Sequence, residues 1–101
     1  MATTPKVLFR GAATTTTTTT LYTTPASTTT IVSSIAVTNT ASAAGTYTLY
    51  LGGVLLADAV SISADSTVFI DLKQVLATTN TIQGGASATT INFHLSGVEI
   101  V

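Results

Sequence analysis

The chain has 101 residues, with three Lys or Arg against four Asp or Glu and no cysteine. That balance excludes a disulfide scaffold, a thiolate metal site and the clustered basic surface that a nucleic-acid backbone demands. About a quarter of the residues are threonine, which is β-branched and stiff at χ1, so the composition points to strands over helices and to assembly over catalysis.

One domain fits the length. A mean hydropathy of +0.58 with so few charges leaves weak repulsion between copies, which favours association. No apolar run reaches the roughly 18 to 20 residues of a membrane-crossing helix, so membrane insertion is not expected. The segment after Lys6 and Arg10 is polar threonine, unlike the apolar core of a secretory signal.

Residues 1–20 read as an extended Thr-rich arm. Pro5 disfavours helix entry, Lys6-Val7-Leu8-Phe9-Arg10 is a short strand-like patch, Gly11 interrupts it, and the run from Thr14 to Thr20 has no apolar alternation. Twenty extended residues reach up to about 65 to 70 Å, enough to cross a neighbouring subunit. Val7, Leu8, Phe9 and Arg10 are the candidate assembly contacts on this arm. A seven-threonine strand is itself an edge hazard, and docking it on a neighbour would remove that hazard.

Residues 21–101 read as a β-sandwich domain. Thr29–Asn39 is the clearest strand, with Ile31, Ser33, Ile35 and Val37 on one side and Val32, Ser34, Ala36 and Thr38 on the other. Beyond an Ala/Ser-rich turn, Tyr47, Leu49 and Leu51 alternate with Thr46, Thr48 and Tyr50, and Gly52-Gly53 predicts a tight hairpin turn. Residues 54–57 and 60–63 give two short strand signals, with Asp65 serving a turn. In residues 67–72, Val68, Ile70 and Leu72 oppose Thr67, Phe69 and Asp71. Residues 73–77 read as a loop or a single helical turn. A short strand at residues 81–83 precedes the turn glycines Gly84-Gly85, and Ile91, Phe93 and Leu95 face inward on the last strand, where Gly97 permits a bulge. Short strands at this spacing predict an all-β fold, a small antiparallel β-sandwich or jelly-roll-like barrel carrying the N-terminal arm.

The chemistry-bearing residues are sparse. His94 is the only histidine, and no G-x-S-x-G elbow surrounds a serine that it would activate. The glycine pairs lack the strand-to-helix setting of a phosphate loop. Asp58, Asp65 and Asp71 do not form a loop with calcium-ligand spacing. Neither enzymatic activity nor a cofactor or metal is expected. Tyr22 and Tyr50 are candidates for stacking on a partner or a sugar.

Thr19-Thr20-Leu21-Tyr22-Thr23-Thr24-Pro25-Ala26, continuing with Thr30-Ile31-Val32-Ser33-Ser34-Ile35-Ala36-Val37-Thr38-Asn39-Thr40, resembles a pattern of small tailed-bacteriophage virion proteins, and Ser96-Gly97-Val98-Glu99-Ile100 resembles their ending. With Val68-Phe69-Ile70-Asp71-Leu72 and Thr81-Ile82 before Gly-Gly, the likeness covers most of residues 19–101. It implies a non-enzymatic virion component, most like a capsid decoration or cement protein, assembled in the host cytoplasm and seated on the outer capsid surface. The implied partners are other copies of the chain, as in a trimer, and the major capsid protein. Alternatives are a tail-tip or fibre-associated receptor- or glycan-binding module, which would meet a host-surface glycan, and a tail or collar component, which would meet tail proteins. The first eighteen residues lie outside the likeness, so the role of the arm rests on its residues alone.

Overall fold

The structure is a computed structural model describing residues 2–101. Eight strands, β1 (Thr3–Ala12), β2 (Thr20–Thr23), β3 (Thr29–Asn39), β4 (Gly45–Leu51), β5 (Val54–Ile62), β6 (Thr67–Leu76), β7 (Thr81–Ala86) and β8 (Ile91–Ile100), make up its regular structure. They form two four-stranded antiparallel sheets, ordered β1-β8-β3-β6 and β2-β7-β4-β5. Each strand is matched as in a long hairpin rolled on itself: β1 with β8, β2 with β7, β3 with β6, β4 with β5. This is the jelly-roll form of the sandwich, whose two sheets bury their inner faces on each other.

The core arises from alternation on the central strands. Ile91, Phe93 and Leu95 of β8 and Val32, Ile35 and Val37 of β3 face Leu49 of β4 and Ile82 of β7, all with 1 % or less of their surface exposed. Each such side chain contributes about 1.5 to 3 kcal/mol by leaving water. The expected inward set on β8 is therefore realised.

Along β3 the expected faces hold only past Ser33. Val32 pairs with Gly97 and Ser34 with Ser96, so Ser33 is an extra residue relative to β8. One extra residue exchanges the two faces of a strand. Thr30 and Val32 point inward on one side of the irregularity and Ile35 and Val37 on the other, while Ile31 lies on the outer side. The bulge near Gly97 thus falls on the strands beside β8, at Ser33 and at Leu8 between the pairs Val7↔Ser96 and Phe9↔Leu95.

Residues 3–12 are extended as expected, but their partner is β8 of the same chain. Leu8 is buried and Phe9 packs against the core. The rolled hairpin needs β1 to cover the free edge of β8, which local sequence does not disclose. The threonine run is likewise docked within the chain. The Thr14 carbonyl accepts from Ala86 N at 2.9 Å, the Thr19 carbonyl from Gly84 N at 2.9 Å, and the Thr18 carbonyl from Gln83 Nε2 at 3.1 Å.

Gly84 and Gly85 are strand residues of β7, not turn residues. A Cβ on Gly85 would lie 2.4 Å from the Thr16 carbonyl oxygen, so glycine is there to let the threonine loop approach the sheet. Gly52 and Gly53, with φ of 59° and 79°, do form the two-residue hairpin turn, a conformation with positive φ at both positions. Residues 73–76 belong to β6 and not to a loop, because β3 offers backbone partners as far as Thr30, which pairs with Leu76. Pairing overrides weak local propensity here. The two short signals at 54–57 and 60–63 merge into β5, kinked where Ala59 takes φ 47° and donates its N–H to Thr48 Oγ1 at 3.0 Å.

Candidate functional site

The six candidate contacts are placed very differently. Val7 and Arg10 are exposed on the outer edge strand β1, whereas Leu8 is buried and Phe9 lies against the core. Leu8 is therefore no surface contact, since the register shift at that position turns it inward. Tyr50 stands partly exposed on the side of β4 opposite Leu49. The structure brings the β1 residues together but keeps them apart from Tyr50, which pairs with Gln83 and Leu55 in the other sheet.

Tyr22 is buried, and its hydroxyl is committed inside the protein to Thr30 Oγ1 at 2.8 Å and to the Glu99 carboxylate, to which it donates. Lys6 Nζ reaches the same carboxylate at 3.3 Å, the salt bridge found among the described residues. Register explains the meeting: Thr30 and Thr4 flank Glu99 on β3 and β1, so Glu99 points inward at one end of the sandwich. The Tyr22 hydrogen bond, with Lys6, holds the Glu99 carboxyl below its ordinary range, and burial together with the Glu99 contact pushes the Tyr22 phenol up. This cluster ties β1, β2, β3 and β8 together.

A depressed carboxylate stabilises the fold fully above its unfolded-state pKa, near 4.5, and the contribution disappears as pH falls through the lower folded value. Tyr22→Phe is expected to cost about 1.5 to 3 kcal/mol at neutral pH, because a charged acceptor loses its donor. In urea titrations from about pH 7 to about pH 3, the wild type should lose more stability than Glu99→Gln does. Parallel curves for the two proteins would remove Glu99 from the stabilising cluster.

The surface feature that stands out lies on the opposite flank. β5 and β6 each form one edge of their sheets, the other edges being β2 and β1, and they are joined by a short turn at Ala64 and Asp65. Most of the large apolar side chains left in solvent lie on these two strands: Phe69, 76 % exposed, and Val75, 65 %, on β6, and Val54, 69 %, with Leu55, Leu56 and Val60 on β5, while Val7 and Val101 are exposed elsewhere. The inward residues Val68, Ile70 and Leu72 of β6 are only partly covered. Asp71 and Lys73 lie between Phe69 and Val75, and with Ser33 and Leu72 they line a shallow depression of about 510 Å³.

Sequence reasoning missed this flank, although the alternation that groups Phe69 with Thr67 and Asp71, opposite Val68, Ile70 and Leu72, is a visible signal. Val75 carried no such signal once residues 73–77 were read as a loop. His94 is exposed on the outer face of β8 between Arg10 and Ala36. Among the described residues, no three acidic or histidine side chains converge in a way that would hold a metal ion. No protein-family model matches this chain, and a search of curated proteins finds no significant match.

Proposed function

We propose that the protein is a non-enzymatic structural component of a tailed-bacteriophage virion, one that decorates or cements the outer capsid surface by assembling with copies of itself and with the major capsid protein. The observation that carries this reading is the apolar flank on β5 and β6, where solvent-exposed Phe69, Val75 and Val54 coincide with two unpaired strand edges. Natural sheets normally protect such edges with charge, proline or a covering element, and an uncovered apolar edge is a template for pairing with another chain. The near-neutral charge of the chain adds little repulsion against association. Jelly rolls also recur in viral capsid domains and in lectins, a likeness of architecture alone.

The glycan-binding alternative at a tail tip is the weaker reading, since the Tyr22 hydroxyl is already engaged with Thr30 and Glu99. Of its two tyrosines, only Tyr50 is left partly open to a sugar. Truncating residues 1–20 would not separate these readings, because it removes β1 from the sheet and Leu8 from the core.

The decisive experiment is mass-spectrometric quantification of the protein in purified particles against the major capsid protein. Abundance comparable with the capsid subunit is the expected result. A few copies per particle would transfer the protein to tail or vertex machinery, and its absence would overturn the virion reading.

A further inference from the structure

We infer that β6 is a two-fold self-association edge, on which a second copy of this chain docks its own β6 antiparallel, centred on Leu72. Symmetry limits the possible registers. In an antiparallel strand pair, directly opposite residues point to the same face of the sheet. A two-fold axis perpendicular to the sheet preserves those faces, so the axis must pass a residue paired with its own copy.

The outer face of β6 carries Thr67, Phe69, Asp71 and Val75, which sit opposite the outer-face residues Thr38, Ala36, Ser34 and Ile31 of β3. Lys73 lies between Asp71 and Val75, where β6 carries one residue more than β3 between the pairs Val32↔Gln74 and Ser34↔Asp71, and the even count from Asp71 to Val75 keeps both on the outer face. Centring the axis on Asp71 or on Lys73 would place like charges against each other, which is destabilising. Centring it on Leu72 sets Asp71 opposite Lys73 of the second copy, twice, and sets Phe69 opposite Val75 of the second copy, also twice. The two most exposed apolar side chains of β6 then cover each other, and two acid–base pairs form from side chains that have no ion-pair partner among the described residues.

The occupant is therefore a second copy. The edge is complementary to itself in charge and in apolar surface, as an isologous interface requires, and β-strand addition supplies the backbone hydrogen bonds. Pairing extends the sheet continuously from β1 of one copy to β1 of the other.

The inference stands on the geometry of β6 and not on the virion reading. A dimer that is missing from particles leaves it intact, whereas a particle-bound protein that is monomeric when purified overturns it.

The test is sedimentation equilibrium of the full chain. The wild type should give twice the 10.2 kDa chain mass. Asp71→Lys and Lys73→Asp, each of which makes two like-charge pairs, should weaken the dimer by about tenfold or more. Combining D71K with K73D restores opposite charges and should restore the dimer. A monomeric or trimeric wild type, single variants that dimerise as the wild type does, or a double variant no tighter than the singles would overturn the proposal.

Because the chain has no cysteine of its own, cross-linking reports register without background. Phe69→Cys mixed with Val75→Cys should form a mixed disulfide on oxidation, whereas Thr67→Cys mixed with Val75→Cys should not. The reverse pattern would overturn the Leu72 register even if a dimer forms.

Discussion

Gly97→Ala is expected to destabilise the fold by about 3 kcal/mol or more, a large share of the roughly 5 to 10 kcal/mol available to a domain of this size. Gly97 lies in β8, between β1 and β3, and a Cβ placed there would meet the Ile31 carbonyl oxygen at 2.1 Å and Leu8 Cδ1 at 3.2 Å. The carbonyl belongs to backbone that is already locked by pairing, so relief requires opening the Val32–Gly97 register. That opening would carry Val98, Glu99 and Ile100 with it and loosen the Tyr22–Glu99–Lys6 cluster. Gly53→Ala provides the comparison: nothing lies within 4 Å of the added atom, but φ is +79°, and left-handed backbone costs an alanine about 1 to 2 kcal/mol. Urea unfolding of both variants should place the Gly97 loss well above the Gly53 loss. The reverse order would mean that the close approach at Gly97 relaxes easily.

Phe93→Ala should be comparably severe, costing about 3 to 5 kcal/mol. The ring is fully buried in β8, opposite Val37 on β3 and Gly11 on β1. Gly11 itself has no side chain to fill the space. The paired strands on both sides also resist collapse. At about 4 to 8 °C per kcal/mol for a domain near this length, the melting temperature should fall by more than about 12 °C. A drop under about 4 °C would place Phe93 outside the cooperative core.

Much of the fold is legible locally. Alternation identifies β3, β4 and β8, Gly52-Gly53 identifies the hairpin turn, and Asp65, at φ 51°, sits in the turn where the Ala-Asp-Ser sequence places it. These features depend on side-chain period and on backbone conformations that glycine and aspartate adopt readily. The errors share one physical origin. Gly84 and Gly85 read as a turn because two glycines usually are one, yet here they make room for the backbone of Thr14 and Thr16. Residues 73–76 read as a loop because their partner, β3, is some forty residues away in sequence. The arm read as reaching for a neighbouring subunit because its partner, β8, is at the other end of the chain.

The candidate site divides in the same way. Val7 and Arg10 are exposed as a surface reading requires, but Leu8 and Tyr22 are not, since a one-residue shift on β1 and the inward turn of Glu99 capture them. The flank on β5 and β6 emerges only when both strands are known to be edges. An outward Phe69 is an anomaly in sequence and becomes a contact surface when no strand lies beside it.

Composition and period-two alternation act over a few residues, and they suffice to specify an all-β chain of low charge, built of short antiparallel strands with a defined hairpin and an inward-facing last strand. They do not specify that β1 closes on β8, that the threonine run lies on β7, that Ile31 and Ile35 fall on opposite faces, or that β5 and β6 are left open. Those outcomes are settled in the folded chain by which backbone edge meets which, and hydrogen-bond pairing between distant segments carries no local sequence signature.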